Sequence, residues 1–166
     1  MTAEQYRHMA DKLRAHPGSV RAIRIINRVI TGLTMASYPL LLCYLLARGD
    51  ALRLYQSILV PAVAFVVVSV FRYFYNAPRP YERMEIEPLI PKDTRGKSFP
   101  SRHVFSIFMI GMTYLPVVPA AAVLIFVAGV LLAVLRVIGG VHDISDVVAG
   151  AAVGILCGIL GYYAIF

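Results

Sequence analysis

Four stretches of this chain contain no Asp, Glu, Lys or Arg: residues 29–47, 54–71, 104–135 and 147–166. A helix needs about 20 residues to cross the hydrocarbon core of a bilayer, at about 1.5 Å of rise per residue. The third stretch is long for a single crossing, and "LPVVP" at 115–119 supplies a tight turn within it. Five spans are therefore expected, near 26–47, 54–75, 101–115, 118–137 and 143–165. A soluble domain of 166 residues has no way to hide such a sequence, which is 59% hydrophobic and 15% charged. The expected fold is all-α, a polytopic membrane helix bundle forming one domain over residues 1–166.

The N-terminal segment has a different character. Its first 28 residues carry six Lys or Arg and no apolar core of the kind that marks a signal peptide. Residues 3–15, "AEQYRHMADKLRA", place Tyr6, Met9, Ala10 and Leu13 on one helical face. This predicts an amphipathic helix lying at the membrane interface within residues 1–25, ended by "HPG" at 16–18. Cys43 and Cys157 lie inside expected spans and read as small packing residues rather than a disulfide or metal pair. The net charge of +7 has no soluble surface on which to build a nucleic-acid site. Anionic headgroups and phosphates are the natural partners.

Following the direction of the five spans brings four helix ends to one membrane face. The second span delivers Arg72 and Arg79, in "RYFYNAPRP". The third begins with Ser101, Arg102 and His103, the fourth ends with Arg136, and the fifth begins beside His142 and Asp146. A single arginine at each interface would be ordinary snorkelling. Two histidines and a carboxylate in the same place are not explained that way, because ionisable groups at membrane depth are costly.

The spacings suggest roles. His142 and Asp146 are four apart and share a helical face. The carboxylate can take a hydrogen bond from one imidazole nitrogen and leave the other free as base or nucleophile. Asp143, adjacent to His142, suits helix capping better. Gly139 and Gly140 let the chain turn between Arg136 and His142. Converging guanidiniums offer paired donors to the oxygens of a tetrahedral dianion. Free backbone N–H groups near Ser101 and Arg102, at the start of a helix, would add to that anion site. His103 is placed to act as general acid toward a leaving oxygen.

R-x6-RP, PSRH and R-x5-H-x3-D, in this order over residues 72–146, resemble the three signature motifs of the type 2 phosphatidic acid phosphatase family. That family shares its phosphate site with vanadium haloperoxidases. The resemblance implies a metal-free phosphatase without cofactor. In it His142 would form a phosphohistidine, Asp146 would orient His142, and His103 would protonate the leaving group. Arg72, Arg79, Ser101 and Arg136, with Arg102 and its backbone, would hold the phosphate. Three positions depart from the family pattern: Arg72 stands where lysine is usual, Arg102 where glycine is usual, and Leu135 where serine is usual. Arginine at 102 would be strained if that turn required positive φ.

A lipid substrate is expected, of the undecaprenyl diphosphate, phosphatidic acid or phosphatidylglycerol phosphate type. The alternatives are a soluble phosphomonoester, or a non-catalytic lipid-phosphate binding or transport role. The last would need only the arginines. The expected location is the cell (inner) membrane. The basic residues on the active-site face point to the cytoplasm by the positive-inside rule, whereas the resemblance to bacterial lipid phosphatases points to the outer face.

Overall fold

The computed structural model describes residues 2–165, and every regular element among them is helical. The order is α1 (Ala3–Arg14), α2 (Pro17–Ala47), α3 (Ala51–Tyr75), α4 (Pro80–Arg83), α5 (Arg102–Tyr114), α6 (Pro119–Ile138) and α7 (Ile144–Ile159). A π-helical turn, Leu160–Ile165, continues α7. The chain is an all-α membrane bundle. Four helical stretches are long and apolar enough to cross a bilayer: Gly18–Ala47, Ala51–Arg83, Pro119–Ile138 and Ile144–Ile165.

The expected third span differs in kind. α5 has 13 residues, about 20 Å of helix, which is short of the roughly 30 Å core. It is also the most enclosed helix, with Val104, Phe105 and Ile107 through Thr113 all buried. Its neighbours cover most of it, leaving Arg102 exposed and His103, Ser106 and Tyr114 half-buried. The expected turn after it is present, since α5 ends at Tyr114 and α6 begins at Pro119. α2 starts nine residues before the expected boundary of 26, because its basic first turns still have protein to bind. Arg24 Nε donates to the Leu89 carbonyl oxygen at 2.7 Å.

Close packing of α7 on α5 holds the centre of the bundle together. Gly150 and Gly154 face α5 four residues apart. A Cβ added to Gly150 would lie 2.7 Å from the Ser101 carbonyl oxygen, and one on Gly154 would lie 2.8 Å from that of Phe105. Small residues at this spacing let helix backbones approach closely within a membrane. The start of α5 and the start of α7 are thereby pinned together, and both carry residues of the site.

α1 is amphipathic as expected, and its apolar stripe is buried against the chain's own loop. Tyr6 and Ala10 pack with Ile86, Leu89, Ile90, Leu135 and Val141. The Leu89 N–H donates to the Tyr6 hydroxyl at 3.1 Å. Gly140 adopts φ +74°, and a Cβ there would sit 2.5 Å from the same hydroxyl. Only glycine fits both constraints, so the turn leading to His142 is moulded around Tyr6.

Cys43 and Cys157 are both free. Tyr73, Phe74 and Tyr75 at the end of α3 are well exposed, in the manner of an interfacial aromatic belt.

Candidate active site

The four helix ends do converge. The His142–Asp146 pair sits at the start of α7, with His142 3% and Asp146 4% exposed. His142 Nδ1 lies 3.2 Å from Asp146 Oδ2. The same carboxylate oxygen accepts the Asp143 N–H at 3.1 Å and the Ser98 hydroxyl. With its Nδ1 proton directed at a carboxylate, His142 presents Nε2 as the nitrogen free for chemistry. Burial pushes the His142 pKa down to about 4; the Asp146 hydrogen bond opposes the shift, and Arg136 and Arg79 reinforce it. The imidazole is therefore neutral at physiological pH, as a nitrogen nucleophile must be.

Asp143 caps α7 as expected and also pairs with Arg83 at 3.0 Å. Ser98 had no distinguishing signal in the sequence. Its role comes from the fold, because its hydroxyl also lies 3.3 Å from His142 Nδ1.

The arginines divide into two groups. Arg72 is 6% exposed, and its guanidinium is taken up by the loop before α5. It donates to the carbonyl oxygens of Ser98 at 3.0 Å, Pro100 and Lys97. Arg79 behaves similarly, with Nε donating to Gly96 O at 3.0 Å and Nη1 to Val141 O at 3.2 Å. Arg136 is different. It donates from Nη2 to His103 Nδ1, while its buried Nε has no partner among the described residues.

Ser101 is fully buried, and its hydroxyl oxygen also lacks a partner among the described residues. Unsatisfied polar atoms at this depth are rare in folded proteins; Asn27 Oδ1 and Ser69 Oγ are the others among the described residues. The expectation for backbone donors needs one correction. The Ser101 N–H donates to the Asp146 carbonyl oxygen at 2.8 Å, so it is not free for an anion. That bond ties the start of α5 to α7. The N–H groups of Arg102 and His103 open the helix without a side-chain cap and carry the positive end of its dipole.

Arg102 is helical, outside the positive-φ residues, so arginine in this place carries no backbone strain. Its side chain is exposed and lies over the Phe65 ring, 5.7 Å from its centroid. Lys92, in the loop after α4, adds a further cation. Its pKa is lowered, first by burial and then by Arg79, Arg136 and Arg102. In the sequence nothing separated it from the other basic residues of that loop.

Buried arginines and a histidine oriented by a carboxylate thus meet where four helix ends converge, an arrangement suited to phosphate chemistry. The PAP2 superfamily model matches residues 53–166, and the chain belongs to that family. Among solved structures, LpxE from Aquifex aeolicus superposes with a TM-score of 0.72 at 26% identity, covering 96% of this chain and 93% of that one. A transmembrane PAP2-type phosphatidylglycerolphosphate phosphatase from Bacillus subtilis has the same fold, with a TM-score of 0.55 at 21% identity, covering 94% of this chain and 90% of that one. No curated protein sequence matches the chain.

Proposed function

We propose that this protein hydrolyses the terminal phosphate of a membrane lipid through a covalent phosphohistidine, with no metal required. The observation that carries the reading is the meeting of an oriented, neutral His142 with two buried donors that lack partners, Ser101 Oγ and Arg136 Nε. The family and the fold of the Aquifex aeolicus neighbour support the reaction class.

In the proposed sequence, the phosphate dianion enters against Arg136, Ser101 and the N–H groups of Arg102 and His103. His142 Nε2 attacks phosphorus, and the bond to the leaving oxygen breaks. Asp146 stabilises the positive charge that develops on the imidazole. His103 supplies the proton to the leaving oxygen. Before substrate binds, Arg136 donates to His103 Nδ1, which keeps that ring neutral. A phosphate that engages Arg136 releases Nδ1, and the dianion beside it favours uptake of a proton. The ring is thereby charged as a general acid only when substrate is present. Water, deprotonated by the now neutral His103, then attacks the phosphohistidine and releases inorganic phosphate. Arg72 and Arg79 act mainly by holding the loop that carries Ser98 and Ser101.

The substrate is proposed to be a lipid phosphate or diphosphate, such as undecaprenyl diphosphate, phosphatidic acid or phosphatidylglycerol phosphate. The cell membrane is the proposed location. The test is phosphate release by detergent-purified protein in EDTA, across lipid and soluble phosphates, beside His142→Ala. The expected result is release from a lipid phosphate, lowered by about 10³-fold or more in the variant. Release that requires added metal, or that survives the substitution, would contradict the mechanism.

A further inference from the structure

Arg102 opens onto a feature that the phosphate site does not use. A cavity of about 260 Å³ is lined by Arg102 and His103 together with Thr31, Thr34, Phe65 and Leu132. A second, almost wholly apolar cavity of about 460 Å³ lies between α2, α3 and α5. The two share Met35, Phe65 and Ser106, so they form one groove. The groove runs from the His103 imidazole into the lipid-facing part of the bundle. His103 stands on the leaving-group side of the reaction proposed above. On that reading the lipid half of the substrate lies toward this groove, with Arg102 at its His103 end.

We infer that Arg102 binds a second phosphate on the leaving group and so selects lipid diphosphates over lipid monophosphates. The inference rests on the phosphohistidine reading, which fixes the side on which the leaving group lies. Three features support it. The guanidinium is exposed to the groove mouth and is held over Phe65 rather than bonded to protein among the described residues. It is the next residue to the proposed general acid. Arg102 and Arg136 also lie close enough to Lys92 to act on its charge, and the three positive charges exceed what one phosphate dianion neutralises, so a diphosphate carries the further charge. In the proposed reaction the bond broken joins the terminal phosphorus to the bridging oxygen. The leaving group is then a lipid monophosphate, whose developing negative charge Arg102 meets.

The test compares a C15 prenyl diphosphate with the matching prenyl monophosphate in detergent micelles, for the wild type, Arg102→Ala and Arg102→Lys. The expected result is a fall of about tenfold or more in the diphosphate-to-monophosphate ratio of kcat/KM for Arg102→Ala, with partial recovery in Arg102→Lys. Binding of inorganic pyrophosphate and of inorganic phosphate is measured in parallel by calorimetry. The alanine variant is expected to lose the preference for pyrophosphate, a readout independent of turnover. Equal losses on both lipids, or an unchanged pyrophosphate preference, would overturn the inference and leave the phosphatase reading standing. Failure of the wild type to hydrolyse any lipid phosphate, here or in the wider panel, would remove both.

Discussion

The two sides of the phosphate pocket differ in how completely their polar groups are satisfied. On the loop side, Arg72 and Arg79 are hydrogen-bonded to main-chain carbonyls from Lys97 to Pro100, and at Gly96 and Val141. On the helix-end side, Ser101 Oγ and Arg136 Nε are buried with no partner among the described residues. Four arginines that look equivalent in sequence therefore do different work. Arg72 and Arg79 bind main-chain carbonyls of the loop, Arg136 donates to His103, and Arg102 lies over Phe65. A guanidinium that spends donors on main-chain carbonyls, as Arg72 and Arg79 do, stabilises the loop it binds, whereas the buried Arg136 Nε has no partner among the described residues.

The sharpest way to break this contrast is to remove one arginine from each side. Arg136→Ala is expected to lower kcat/KM by about 10²–10³-fold while leaving the thermal unfolding midpoint in detergent nearly unchanged. Arg72→Ala is expected to lower the midpoint strongly, because three buried carbonyls each lose a donor at about 1–3 kcal/mol apiece. Paired unfolding and phosphate-release measurements decide it. A larger loss of stability from Arg136→Ala would reverse the assignment of the two sides.

A smaller effect is expected at Ser98. Its hydroxyl is one of three donors to Asp146 Oδ2, so Ser98→Ala should cost about tenfold in kcat with little change in KM. An equal rise in KM would move Ser98 from orienting the dyad to binding the substrate.

Acid pH gives the mildest probe. His142 has a folded pKa of about 4, lowered chiefly by burial, against an ordinary value near 6.5. Between pH 6.5 and 4 the unfolded chain takes up a proton at this residue that the folded chain does not. His142 therefore makes stability fall with pH across that window and adds no further slope below it. NMR of labelled histidine should show His142 titrating near 4 in the ligand-free protein. A midpoint near 6.5 would mean that the pocket is wetter than its packing indicates.

Much of this was legible in the sequence, for physical reasons that can be stated residue by residue. The lipid-facing helices announce themselves because hydropathy measures what a helix touches, and α2, α3, α6 and α7 all touch lipid. α5 is largely covered by them; its extent was close to the expected 101–115, while its enclosed, central position was not visible in hydropathy. The spacing of His142 and Asp146 was enough to predict their pairing, since four residues on a helix is a geometric statement. The role of Ser98, the loss of the Ser101 N–H to Asp146, and the division among the arginines were not legible. Each depends on where the loop between α4 and α5 runs, and no periodicity encodes that path. The close approach of α7 to α5 rests on Gly150 and Gly154, whose four-residue spacing gains meaning only once a partner helix is known.

The central claim is that His142 takes the phosphoryl group. It is tested most directly by rapid acid-free quenching of the enzyme with a ³²P-labelled lipid phosphate, followed by peptide mapping. The account predicts a transient phosphoenzyme that is stable to alkali, labile to acid, located on His142 and absent from His142→Ala. Turnover with no labelled protein at any time, or label that persists in the variant, would contradict it.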